Sequence, residues 1–150
     1  MQTTYEDERE INRCIIRFAR AMDDRDWAEI EKITVEDLTA DLGTGALGSR
    51  GEVIALMRSF LDDCGTTQHL IGNVLIEIEG DTASSRAYVS DMHLGTGALE
   101  SQTFRTLGDY HDRWRRTADG WRMTHRTKLN RGSLGDHAVL GQGPSGWSAP

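Results

Sequence analysis

The chain is poor in the features that settle a protein's class at a glance. Two cysteines in 150 residues, Cys14 and Cys64, are too few for the disulfide framework of a small secreted fold. Both sit in segments expected to be helical and read as buried thiols. No apolar run nears the roughly 20 residues that a membrane span needs. The start, Met1-Gln-Thr-Thr-Tyr-Glu-Asp-Glu, is polar and acidic, unlike a signal peptide. Basic residues are in deficit: 17 Lys and Arg face 24 Asp and Glu, a net charge of −7. Phosphate binding wants a basic face, so a nucleic-acid partner is not expected. Hydrophobic residues reach only 37%, yet four Trp and regular periodic segments argue for a packed fold over disorder. The expectation is one soluble, cytoplasmic domain with no membrane and no nucleic-acid partner.

Several catalytic signatures are also missing. Gly-x-Ser-x-Gly is absent, and neither cysteine has a histidine near it in sequence, so covalent catalysis has no support. The five histidines, His69, His93, His111, His125 and His137, show no close metal-binding spacing, so no metal is expected. Gly43-Thr-Gly45-Ala-Leu-Gly48 fits the dinucleotide pattern formally, but no βαβ unit surrounds it. The hexapeptide Leu42–Leu47 recurs as Leu94–Leu99, and both copies read as loops. No cofactor is expected.

What is present falls into helices first and strands after. Glu6 to Met22 carries Ile11, Cys14, Ile15, Phe18, Ala19 and Met22 at spacings of three and four, the apolar stripe of an amphipathic helix. Thr3 or Thr4 could cap it. A short helix from Asp26, its N-cap, to Ile33 follows, then a strand over Thr34–Leu42 and a loop over Gly43–Gly51. A third helix runs from Glu52 to Asp63 with Val53, Leu56, Met57, Phe60 and Leu61 inward. Four strands are expected at Thr67–Ile78, Thr82–Leu94, Gln102–Thr117 and Gly120–Asn130, with hairpin turns at Glu79-Gly80-Asp81 and Ala118-Asp119-Gly120. From Phe104 to Trp114 apolar and charged residues alternate, so the sheet packs on one side only. This order makes the fold α+β, a curved sheet against helices with a concave space between them. Residues 1–132 form the domain; 133–150, rich in Gly, Ser and Pro, are expected to be a flexible tail.

Two residues stand out. Asp23 ends the apolar face of the first helix, where it is either a helix-terminal surface acid or part of a site. His69 opens an apolar strand, where it is either a satisfied core histidine or a base.

Four stretches carry a resemblance: Ala21-Met-Asp-Asp-Arg-Asp-Trp27, Thr67-Gln-His-Leu-Ile-Gly-Asn73, Gly108-Asp-Tyr-His-Asp-Arg-Trp114 and Asp119-Gly-Trp-Arg-Met-Thr-His-Arg126. Together, over roughly residues 5 to 132, the chain resembles the SnoaL-like branch of the NTF2-like superfamily. That branch includes scytalone dehydratase, bile acid 7α-dehydratase and hexachlorocyclohexane dehydrochlorinase. The resemblance implies an α+β cone, three N-terminal helices on a strongly curved mixed sheet that encloses a pocket. It also implies homo-oligomers, trimers first and dimers as the alternative. In the lyases of the branch an Asp at the end of the first helix pairs with a strand His, and Asp23 and His69 fall on those positions. Arg126 falls on an assisting Arg, and Tyr110 on a pocket-lining aromatic. One position departs. Where several lyases place a Tyr or Lys, one and a half turns before the Asp, this chain has Phe18, which cannot donate a proton. Tyr88, Tyr110, Asn73 and Arg126 are the alternative donors.

The function so implied is a cofactor-independent lyase. A dehydratase or related enzyme would expel water, halide or formaldehyde from a small hydrophobic cyclic or aromatic substrate, a role in aromatic compound metabolism. Asp23, His69 and Arg126 would be catalytic, and Phe18, Met22, Phe60, Asn73, Tyr88, Tyr110 and Trp114 would contact substrate. An isomerase or cyclase using the same base, or a non-catalytic small-molecule binder, are the alternatives. Strand parity poses one difficulty. Strict alternation sets His69 opposite Val74, Ile76 and Ile78, and Arg126 opposite Trp121 and Met123, so bulges near Gly72 and Thr124 are required unless one assignment fails. Asp112 has inward parity and needs a partner, for which Arg126 across the hairpin is one candidate.

Overall fold

The structure, a computed structural model, describes residues 4–149. The chain runs α1 (Thr4–Asp24), α2 (Trp27–Ile33), β1 (Thr34–Asp41), β2 (Ala46–Leu47), α3 (Arg50–Leu61), β3 (Thr67–Glu79), β4 (Thr82–Leu94), β5 (Thr103–Thr117) and β6 (Gly120–Gly135), with 3-10 turns at Gly97–Leu99 and His137–Val139. Three helices pack on one face of a six-stranded mixed sheet of order β2-β1-β6-β5-β4-β3, which is curved but not closed. Among the described residues only β1 and β6 pair in parallel; the other neighbours are antiparallel. Among the described residues no helix is long and apolar enough to cross a membrane.

Local chemistry sets the helix ends. Asp26 caps α2 by accepting the Glu29 amide, as expected. Ser49 does the same for Glu52, so α3 begins at Arg50 inside the expected loop and ends at Leu61, before Asp63. Helix α1 includes Thr4, and Thr3, the other expected cap, lies outside the described residues. Arg25, with φ of 56°, ends α1 and turns the chain into α2.

The stripe on α1 is buried as its spacing demands, with Ile11, Ile15 and Phe18 at 0–1% exposure against Trp114, Trp121 and Met123 of the sheet. Fully burying each such side chain is worth about 1.5–3 kcal/mol, more than any propensity difference along the helix. Cys14 is buried in this layer, whereas Cys64, past the end of α3, is only partly so. The first turn also buries Asp7, which takes two bonds from Arg116 at 2.6 and 2.9 Å and one from the Trp121 indole.

The sheet's alternation is as read, with Phe104 to Trp114 buried at every second residue. Strand β6 runs five residues past Asn130, because its pairing with β5 continues to Phe104↔Gly135. The repeated hexapeptide takes two conformations. Its first copy is a loop ending in β2, and its second closes in a 3-10 turn.

Candidate functional site

The site starts where α1 ends. The Arg25 guanidinium donates to Met22 O (2.7 Å), Leu61 O (2.9 Å) and Gly65 O (2.9 Å), tying together the ends of α1 and α3 and the approach to β3. It also donates to Thr67 Oγ1, which donates in turn to Asp23 Oδ1 at 2.9 Å. The carboxylate is therefore aimed before it meets histidine. His69 then takes both oxygens: its backbone N–H donates to Oδ2 at 3.0 Å, and its Nδ1 lies 2.7 Å from Oδ1. Facing a carboxylate, Nδ1 carries the ring proton, which leaves the Nε2 lone pair free. Burial pushes the Asp23 carboxyl up, but the two bonds from His69 outweigh it and hold the group below the usual carboxylate range.

Both required bulges are present. Pairing of β3 with β4 slips between Gly72 and Leu75, and Asn73 sits at φ 52°. Thr67, His69 and Ile71 face inward before the slip, and Val74, Ile76 and Ile78 after it. Pairing of β5 with β6 slips past Thr124, so that Trp121 and Met123 face inward, and so does Arg126. A third slip beside Gly108 skips Arg131, and Ser133 and Gly135 then line the concave side.

The concave side holds a cavity of about 410 Å³. Phe18, Met22, Leu56, Met57, Phe60 and Tyr110 give it an apolar wall, and His69 and Arg126 reach it too. Asp23 stands behind His69. Three expected contacts lie elsewhere. Trp114 is 2% exposed in the core, its indole bound to Ser85 Oγ at 2.8 Å, and does not line the cavity. Tyr88 faces out because Ala87 and Val89 face in; it is 46% exposed under the Arg131 guanidinium. Asn73, on the bulge, borders the same outer face. A separate depression of about 390 Å³ on that outer face, between Leu75, Arg86, His111 and His125, is remote from the Asp23–His69 pair.

Arg126 is 2% exposed and gives Nε and Nη2 to the two oxygens of Asp112, each at 2.8 Å. Its guanidinium lies between the rings of Phe18 (4.3 Å) and Tyr110 (3.8 Å). Burial raises the Tyr110 phenol above its ordinary range.

Sequence reasoning missed a polar group on the adjoining wall. Asp91 accepts Thr106 N (2.8 Å), Thr106 Oγ1 (2.6 Å) and Lys128 Nζ (2.7 Å), and Lys128 also donates to Thr106 Oγ1 at 2.9 Å. His93, 5% exposed, holds its Nδ1 3.1 Å from Phe104 O. Burial lowers its pKa to about 4, so it is neutral at ordinary pH. The signal was there in β4, where Asp91 and His93 share the inward parity of Ala83, Ala87 and Val89. Lys128 follows Arg126 by two. A ring nitrogen from each of His69 and His93 and an oxygen of Asp91 lie within 4.8 Å of one another, a set that could hold a divalent ion. The Lys128 ammonium already neutralises Asp91, so a metal there would have to displace a positive charge.

The segment after β6 adds to the wall. His137, Leu140 and Trp147 line the cavity, with the Trp147 ring 5.0 Å from Phe60 and 5.2 Å from His137.

Comparison with known proteins fits this architecture. The uncharacterised protein Rv2910c of Mycobacterium tuberculosis is 28% identical over 125 residues, covering 81% of this chain and 84% of the relative. A provisionally assigned aromatic ring hydroxylase from Novosphingobium aromaticivorans superposes with a TM-score of 0.81 at 26% identity, over 92% of this chain and 99% of that one. A provisionally assigned dehydratase of the NTF2-like family from Streptomyces avermitilis shares the fold at 19% identity, with a TM-score of 0.75 over 84% and 97% of the two chains. Residues 3–127 match the SnoaL-like domain, and the chain belongs to that family.

Proposed function

We propose that the protein is a cofactor-independent lyase acting on a small hydrophobic cyclic or aromatic molecule. One observation carries the reading: a histidine whose Nδ1 is held by a half-buried carboxylate lines a cavity with an apolar wall. That is the arrangement of a general base, because the carboxylate fixes the tautomer and stabilises the imidazolium as it forms. Such a base contributes about 10²–10⁴-fold. The cavity, about 410 Å³, suits a ligand of one or two rings. The likeness to an NTF2-like dehydratase supports elimination as the reaction class. Water, halide or formaldehyde would be the group expelled.

In this reading His69 is the base and Asp23 its orienting partner. Arg126, tied to Asp112 by both oxygens, serves as a fixed cation of the wall that packs Phe18 and Tyr110 and not as a mobile donor. The convex face, where Leu70, Leu75, Leu107, Leu129 and Leu134 are exposed, is the surface that would support a homo-oligomer.

The test uses a probe with acidic carbon-bound hydrogens. Indan-1-one in D₂O, followed by NMR, should exchange its C2 hydrogens faster with the native protein than in buffer. His69→Ala should lose that acceleration while keeping the native circular dichroism. Undiminished exchange in His69→Ala would remove the base assignment.

A further inference from the structure

Elimination needs a second group beside the base, for the atom that leaves with the electron pair. The α1 position available for it is Phe18, which has no proton to give. Two other donors considered from the sequence, Tyr88 and Asn73, are on the wrong side of the sheet. Arg126 has its Nε and Nη2 spent on Asp112 and is clamped between two rings. Tyr110 is 3% exposed beneath that guanidinium.

Lys128 differs from all of these. Its side chain is 17% exposed and lines the cavity. Of the three N–H bonds of an ammonium, one is directed to Asp91 Oδ2 at 2.7 Å and one to Thr106 Oγ1 at 2.9 Å, leaving a third. Thr106 in turn holds Asp91 through its amide and its hydroxyl, so the ammonium is fixed by a closed ring of hydrogen bonds. An Asp91 oxygen also lies within 4.8 Å of a His69 ring nitrogen, so base and ammonium border the same part of the cavity.

Taking His69 as the base, we propose that Lys128 holds the leaving group and protonates it, with Asp91 and Thr106 as positioning residues. For loss of water the atoms balance as follows. His69 Nε2 takes the proton from carbon, and the C–H electron pair becomes the second bond of the new C=C. The C–O bond breaks with its pair going to oxygen, which takes a proton from Lys128 Nζ and departs as water. His69 has gained the one proton that Lys128 lost, and its return through solvent restores both groups. Hydroxide is a far stronger base than an amine, so the transfer runs downhill. A halide needs no proton, and for it the ammonium is only a counter-charge.

That difference supplies the test. The probes are 3-hydroxyindan-1-one, which must expel hydroxide, and 3-bromoindan-1-one, which expels bromide unaided. Lys128→Met should slow the hydroxy probe by about 10²–10³-fold and the bromo probe by less than tenfold, whereas His69→Ala slows both. Lys128→Ala should recover at least tenfold on the hydroxy probe with added ethylammonium. Because Lys128→Met leaves Asp91 buried beside no cation, the double variant Lys128→Met/Asp91→Asn, which removes both charges, is measured alongside and should show the same split. Equal losses on the two probes, or unchanged loss of water in Lys128→Met, overturn the assignment and leave the base reading standing. Full activity of His69→Ala on both probes overturns the base reading itself, and this assignment with it.

Discussion

Asp23 and His69 are joined twice, by the ring Nδ1 at 2.7 Å and by the backbone amide at 3.0 Å, so one carboxylate fixes both the strand and the imidazole it carries. An amide in place of the carboxylate keeps the shape and one acceptor but cannot stabilise an imidazolium. Asp23→Asn is therefore expected to fold normally and to lose about 10²–10⁴-fold in kcat/KM for indanone exchange. Steady-state kinetics with the melting temperature as control checks it. A variant retaining full activity would make the bond structural only.

The Arg126–Asp112 pair is the most deeply buried ion pair of the site, with side chains 2% and 1% exposed. Breaking such a pair strands a charge away from water. Asp112→Ala should cost about 3–5 kcal/mol by urea unfolding. The double replacement Arg126→Met/Asp112→Leu should cost less than the single one, because it strands nothing. Additive losses would mean that the two residues stabilise the wall independently.

Much of this was legible in the chain. Helical spacing located the α1 face, and alternation in β5 separated Trp114 from Arg113 correctly. The parity conflict at His69 and Arg126 left a choice between bulges and a wrong assignment, and the bulges exist, at Gly72–Asn73 and at Thr124. What remained hidden depended on pairing across strands. Asp91, Thr106 and Lys128 come from three different strands, and nothing within any one of them announces the ring of bonds they form. Tyr88 and Trp114 were placed in the pocket by residue type, where parity and depth along the sheet decide otherwise. Residues 133–150 read as a tail on composition, yet β6 continues to Gly135, Val139 is 4% exposed and Trp147 packs on Phe60.

His93 gives the protein a pH signature. Its folded pKa, about 4, lies below the 6.5 of a free imidazole, mainly because burial disfavours the charged ring. Above pH 6.5 both folded and unfolded chains hold it neutral, and stability is full. As pH falls from 6.5 to about 4 the unfolded chain takes up a proton that the folded chain refuses, and stability drops by about 3 kcal/mol. Below 4 this contribution changes no further. Urea unfolding across that range should show the slope in the native protein and a flatter one in His93→Gln; equal slopes would place the titration elsewhere.

The segment after β6 that lines the cavity is held to α3 by few hydrogen bonds. Gly141 N–H donates to Phe60 O at 2.8 Å and Gly143 N–H to Ser59 O at 3.4 Å, both carbonyls near the C-terminal end of α3. Gly143 has φ of 73°, and a Cβ there would lie 2.6 Å from the Phe60 ring. Gly143→Val is thus both strained and obstructed, and it should unseat the segment without touching the sheet. Hydrogen exchange is expected to show faster amides at residues 141 and 143 in the variant, with β3 to β6 unchanged. Trp147 fluorescence should shift to the red, since its ring loses Phe60 and His137 as neighbours. The midpoint of global unfolding should move little, because the core formed by α1 and the sheet does not include this segment. A large drop in that midpoint would show instead that residues 141–147 belong to the cooperative unit.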